Sequence, residues 1–392
     1  MKKKMLLVLL FFVSLFTITG CGSKNEKSFD DMTVDEKVEY KMKNMSLDEK
    51  IAQMLIIYYT NNKVDDNLKD LLKNYNPGGF ILMKENITTF DNTKKFVSDL
   101  KKYSDIPMII SIDQEGGTVQ RLQELSDIKP TFIPSMYTLG KTNDKKLAYD
   151  VGKVMAEQLR TIGVNVVFAP VLDIYSNENN TVIGDRSFGK TEEQVSNMAI
   201  SLAKGLEDNG VIATYKHFPG HGDTDVDSHK DLPVVHKTYD EIDKFELVPF
   251  KKAIENDAKI IMVGHLYFDN IVTDGKPSSL SKEIITDILY KKLNYNGLVI
   301  TDALNMGALT KNYSDEDIYT MAIEAGSDLI LMPRGSKKTI EYIKKNISED
   351  RINKSVEKIL KFKYTYLSNY EYLDKSYLNN KEQQNIISKI GQ

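Results

Sequence analysis

Short apolar runs rich in β-branched residues alternate along this chain with longer amphipathic stretches in which lysine recurs. The first four runs fall at 54–59 (MLIIYY), 78–83 (GGFILM), 107–112 (PMIISI) and 164–170 (VNVVFAP). Four more follow at 211–217 (VIATYKH), 259–265 (KIIMVGH), 297–302 (GLVITD) and 327–332 (SDLILM). Runs of this length without strict alternation suit strands buried on both faces. Between them, 93–103, 146–163, 191–210 and 243–257 carry helical periodicity, and several close on Gly or Asn as helix C-termini do. Ser46 and Glu49 offer a capping box for a helix ahead of the first run. Eight strand–helix alternations predict an α/β fold, a (β/α)8 TIM-type barrel. An open doubly wound sheet is the alternative that periodicity alone allows.

Polar chemistry gathers where the strands end: IDQEGG after the third, APVLD after the fourth, YKHFPGHG after the fifth, GH after the sixth and TDALNMG after the seventh. In a (β/α)8 barrel those ends form the active face, so the pattern predicts an enzyme.

The chain termini read differently. Lys2, Lys3 and Lys4 precede an apolar run at 5–18, of signal-peptide length and short for a membrane span. The run leads to ITGC, whose Cys21 is the only cysteine. This segment resembles the lipobox of bacterial lipoproteins, which implies lipidation of Cys21 and an exported protein held at the membrane by acyl chains. An ordinary secretory signal is the alternative. The expected organisation is a leader at 1–20, a polar tether at 21–45, a catalytic barrel at 46–368 and a polar tail at 369–392. A net charge of −4 with interspersed signs offers no footprint for nucleic acid. Arginine is scarce, limited to Arg121, Arg160, Arg186, Arg334 and Arg351, which draws attention to those beside motifs.

The densest chemistry is KHFPGHGDTDVDSH at 216–229, which holds three of the five histidines. His217 and His221 have the spacing of two zinc ligands on a helix, but Pro219 and Gly220 between them oppose a helix. Asp223, Asp227 and His229 would then have to complete a loop-borne metal site. A Ser228–His229 triad is disfavoured, since adjacent side chains of an extended chain diverge and no G-x-S-x-G elbow occurs. Asp227 and His229, two apart, share a side, and a carboxylate beside an imidazole makes a proton shuttle near neutral pH. A structural loop with backbone-satisfied histidines stays open on spacing alone.

Four further motifs occur in order: IDQEGGTVQR (112–121), FAPVLDI (168–174), GDRSFG (184–189) and VITDALNMGA (299–308). Together with the histidine loop they resemble the β-N-acetylglucosaminidase branch of family 3 glycoside hydrolases, over about residues 46 to 335. The resemblance implies a retaining hydrolase with Asp302 as nucleophile and His229, oriented by Asp227, as acid/base. It implies sugar contacts from Asp113, Arg121, Arg186, Lys216 and His217, and calls for neither cofactor nor metal. The implied substrates are peptidoglycan fragments ending in β-linked GlcNAc. Two positions depart from many relatives: Ala303 stands where a second acidic residue is common, and Thr118 where Arg is. Family 3 β-glucosidases and xylosidases typically take a carboxylate acid/base from a second domain and lack the D-S-H element. Phosphorolysis at the same site and an inactive wall-binding lipoprotein are the remaining alternatives.

Overall fold

A computed structural model of the chain describes residues 27–224 and 232–390. Cys21, Asp227 and His229 lie outside the described residues. Eight parallel strands close into a barrel: β1 (Leu55–Ile57), β2 (Gly79–Leu82), β3 (Ile109–Ile112), β4 (Val166–Val167), β5 (Ile212–Phe218), β6 (Ile260–Val263), β7 (Leu298–Ala303) and β8 (Leu329–Leu331). Each pairs with its neighbours in chain order, and β1 pairs with both β2 and β8, which excludes the open sheet. Six of the eight apolar runs contain a whole strand, and β5 and β7 each extend one residue beyond their runs, to Phe218 and Ala303.

Both faces of these strands are covered, which explains their unbroken apolar sequences. Inside, side chains such as Ile56, Ile81 and Ile109 fill the barrel; outside, helices cover the rest. Helix Phe90–Lys102 sets Phe96 edge-on against Phe80 of β2, ring centroids 5.4 Å apart. Burying one such ring contributes about 1.5–3 kcal/mol. Gly79 permits the close approach of β2 to its neighbours: a Cβ there would lie 2.5 Å from the Ile109 carbonyl oxygen.

Helices Phe90–Lys102, Lys145–Ile162 and Glu192–Asp208 follow the predicted periodic stretches. The stretch 243–257 instead divides into Tyr239–Lys244 and Val248–Glu255. Pro249 is the reason, since a residue without an N–H belongs in a first helical turn. The Ser46–Glu49 capping box forms as expected.

Both polar end segments are more structured than their composition predicts. Helix Val34–Asn44, with its own Thr33–Glu36 capping box, packs on helix Glu349–Tyr366 through Val38. Phe29 meets Tyr364 edge-on at 5.9 Å. At the other end Lys375–Leu378 and Lys381–Ile387 fold back on Lys145–Ile162, burying Leu378 and Gln383. The Leu378 carbonyl accepts from the Thr131 N–H (2.8 Å) and Gln158 Nε2 (3.2 Å). No helix among the described residues is long and apolar enough to cross a membrane.

Candidate active site

A cavity of about 280 Å³ opens at the C-terminal ends of the strands. Asp113, Arg121, Arg186, Lys216, His217 and Asp302 all border it. Met83, Phe168, Met306 and Met332 give the remaining wall an apolar character. Asp113 follows β3, Lys216 and His217 are the last two residues of β5 before Phe218, and Asp302 is the penultimate residue of β7.

Glu115 is the centre of a buried ion network. It sits on the small hairpin Gln114–Gly116/Val119–Gln120 that follows β3. Gly116 and Gly117 turn this hairpin with φ of 104° and 57°, in the left-handed region that glycine adopts without strain. The Arg186 fork reaches Glu115 through Nε (2.7 Å) and Nη2 (2.8 Å), while Nη1 donates to the Val182 carbonyl (3.0 Å). Lys216 Nζ lies 2.6 Å from Glu115 and 2.9 Å from Asp113. Burial opposes ionisation of Glu115, but Arg186 and Lys216 outweigh it and hold the carboxyl well below the usual range. Burial likewise works against the Lys216 charge, and Asp113 and Glu115 reverse that and raise its pKa. The network thus joins Arg186 and Lys216 to Glu115 and Asp113, and among the described residues one Lys216 hydrogen has no partner.

Asp173, after β4, is fully buried beneath this cavity. It accepts from the His217 ring at Nδ1 (2.6 Å), from the His217 N–H (3.3 Å) and from the His221 N–H (2.6 Å). Because a carboxylate only accepts, His217 Nδ1 carries the hydrogen and Nε2 is the ring nitrogen left for the cavity. Burial raises Asp173, and the nearby His217 and His221 outweigh it to leave the carboxyl lowered. Burial lowers the His221 imidazole to about 4 against the opposing field of Asp173, so that ring is neutral near pH 7.

Asp302 accepts from the Ala303 N–H at 2.7 Å. Burial disfavours its charge, but His265, His217, the Ala303 N–H and Lys216 together bring its pKa to about 2. It does not cap a helix, since the next one begins at Gly307 after Met306. At neutral pH it is an ionised carboxylate facing a partly apolar cavity, a state suited to nucleophilic attack.

Six of the residues singled out in the sequence thus meet around one cavity. Arg186 differs from expectation in detail: most of its fork braces Glu115 instead of standing free for a ligand. Arg121 keeps a buried Nε with no hydrogen-bond partner among the described residues. His217 and His221 do not share a helix, and both are tied to Asp173. Glu115 and Asp173 were missed as separate residues although both stand inside quoted motifs. Their partners lie 71 and 44 residues away, so only the fold reveals them.

Residues 46–362 match the model for the glycosyl hydrolase family 3 N terminal domain. Beta-hexosaminidase A of Pseudoalteromonas piscicida is 35% identical over 288 residues, 68% of this chain and 47% of that protein, so this chain spans about half of its length. A beta-hexosaminidase of Nitrosomonas eutropha is 33% identical over 261 residues, 65% of this chain and 73% of that protein. Among solved structures, a glycoside hydrolase family 3 beta-N-acetylglucosaminidase from Paenibacillus sp. is 33% identical with a TM-score of 0.81. The match covers 88% of this chain and 68% of that one.

Proposed function

The chain belongs to glycosyl hydrolase family 3 and is a glycoside hydrolase; on that premise we propose that it removes terminal β-linked GlcNAc from peptidoglycan fragments by an exo-acting, retaining mechanism. The observation that carries this reading is the ionised Asp302 carboxylate, at the mouth of β7, facing a cavity walled by fixed donors and acceptors.

Asp302 attacks the anomeric carbon as the bond to the leaving oxygen breaks, and protonated His229 donates to that oxygen. The product of this step is a glycosyl-aspartate and a neutral His229. His229 then takes a proton from water, whose oxygen attacks the anomeric carbon and releases Asp302. The two displacements return the original configuration. The roles of His229 and Asp227 rest on the sequence resemblance.

Asp113 accepts from sugar hydroxyls, and Lys216 and Arg121 Nε, each with a hydrogen that has no partner among the described residues, donate to sugar oxygens. His217 presents Nε2, and Arg186 acts chiefly through Glu115. The GlcNAc preference is supported by the names of the relatives and the solved neighbour. We also propose that Cys21 is lipidated and keeps the enzyme on the extracytoplasmic face of the cell membrane, where wall fragments occur.

The test uses the full chain in detergent with 4-nitrophenyl β-N-acetylglucosaminide and the corresponding β-glucoside, with and without phosphate. Cleavage of the acetamido sugar alone, giving free GlcNAc in both buffers, is expected. Preference for the glucoside overturns the specificity, GlcNAc 1-phosphate would mean phosphorolysis, and no cleavage of either would leave a binding protein.

A further inference from the structure

We propose that His265 is a positioning residue for the nucleophile: it grips the carbonyl on one side of residue 303, whose N–H on the other side orients the Asp302 carboxylate. This rests on Asp302 being the nucleophile.

The need for such a device is visible in β7. Its pairing with β8 is regular at Ile300↔Leu329 but shifts before Ala303↔Leu331, so the ladder loses its register where Asp302 sits. A strand end that leaves its register does not fix its side-chain direction by sheet geometry alone. Something else must hold residue 303, and two bonds do. The Leu304 N–H donates to the Leu331 carbonyl of β8 at 2.9 Å. His265 Nε2, just beyond β6, lies 3.0 Å from the Ala303 carbonyl oxygen. The 303–304 peptide is thereby clamped between the ends of the two strands that flank β7. The Ala303 N–H is left pointing at Asp302 Oδ1, 2.7 Å away.

The chemistry of the ring fits this task. A carbonyl oxygen only accepts, so Nε2 bears a hydrogen. Nδ1 lies 2.7 Å from Ser279 Oγ, and a hydroxyl serves either a neutral or a charged ring by rotating. His265 and Ser279 are both fully buried. Ser279 is itself anchored, because the neighbouring Ser278 donates to the Leu266 carbonyl through N–H (2.7 Å) and Oγ (2.8 Å). The clamp is thus built from residues adjacent to one another across a short loop, 265–266 and 278–279. Burial alone would raise the Asp302 carboxyl, and His265 is the leading influence that lowers it.

The test measures kcat and KM for 4-nitrophenyl β-N-acetylglucosaminide, and the Kd of free GlcNAc, on the full chain carrying His265→Leu, His265→Gln, Ser279→Ala or Asp302→Asn. His265→Leu is expected to lower kcat by ~100-fold with KM and the GlcNAc Kd changed by less than ~3-fold, because misorientation of the nucleophile costs rate, not binding. His265→Gln keeps an N–H able to reach the Ala303 carbonyl and should recover to within ~10-fold of the parent. Ser279→Ala should lose ~10-fold in kcat, and it decides the matter if His265→Leu fails to fold. Parental kcat in a folded His265→Leu or Ser279→Ala protein overturns the proposal. So does a loss carried by KM, or a Gln variant no better than Leu. Parental rates in Asp302→Asn would instead overturn the nucleophile assignment itself.

Discussion

At the N-terminal end of the barrel Asp328, just before β8, accepts from Ser355 (2.7 Å), Lys358 (2.7 Å), Tyr290 (2.9 Å) and the Val299 N–H (3.2 Å). Arg351 joins it by donating to the carbonyls of Ile323 and Ser327. At the C-terminal end Glu115 is as deeply buried and as fully paired, with Arg186 and Lys216. The two networks differ in what lies beside them. Around Asp328 the named partners belong to the fold, and they tie helix Glu349–Tyr366 to β7 and β8. Around Glu115 the same cations border a cavity, and among the described residues a Lys216 hydrogen and Arg121 Nε have no partner. A buried ion pair is therefore not in itself a mark of function. Nor is size, because a concavity of about 460 Å³ lies at the N-terminal end, where Lys259 and Lys358 are occupied by Glu207, Asp257 and Asp328. The active end is the one where charge is held in place yet left open on one side.

The strongest way to sharpen this contrast is Asp302→Asn, which should lower kcat by ~1,000-fold or more while the protein stays folded. Retention of parental turnover would remove the central residue of the C-terminal end. Next comes a paired experiment. Glu115→Ala strands Arg186 and the buried Lys216, and Asp328→Ala strands the half-buried Lys358 together with the Ser355, Tyr290 and Val299 donors, so each should destabilise the fold by about 3–5 kcal/mol in urea denaturation. Only Glu115→Ala should also lower kcat/KM of the folded enzyme, by ~100-fold, because it frees Arg186 and Lys216 beside the cavity. Equal losses of activity in the two variants would erase the distinction drawn between the ends.

The smallest effect concerns His221. Its folded pKa of about 4 lies below the ordinary 6.5, so the unfolded chain binds more protons between those values. Its contribution to stability is therefore present above pH 6.5 and is lost as the pH falls toward 4. His221→Gln should flatten the fall in stability across that window, read as urea midpoints at its two ends. An unchanged slope would mean that His221 is not held neutral by its burial.

The barrel was legible because its strands are buried on both faces, so their sequences carry unbroken runs such as 259–265 (KIIMVGH). Strand ends were legible too, since Asp113, Lys216, His217 and Asp302 interrupt apolar runs with polar side chains. The end segments were harder, because a few anchors decide them. Leu378 and Gln383 vanish within a polar stretch, and nothing local announces that Lys153 pairs with Glu382 at 3.0 Å. The bracing of the site was illegible for the same reason. Glu115 with Arg186, Asp173 with His217, and His265 with Ala303 are pairs separated by 71, 44 and 38 residues, joined only when the barrel closes.

The most direct test of the account is to trap the covalent intermediate. The full chain would be incubated with a 5-fluoro β-GlcNAc derivative carrying a good leaving group, digested, and mapped by mass spectrometry. The account expects the fluorosugar bound to the Asp302 side chain, and no adduct in Asp302→Asn. A sugar on another carboxylate, or turnover by Asp302→Asn without any adduct, would contradict it.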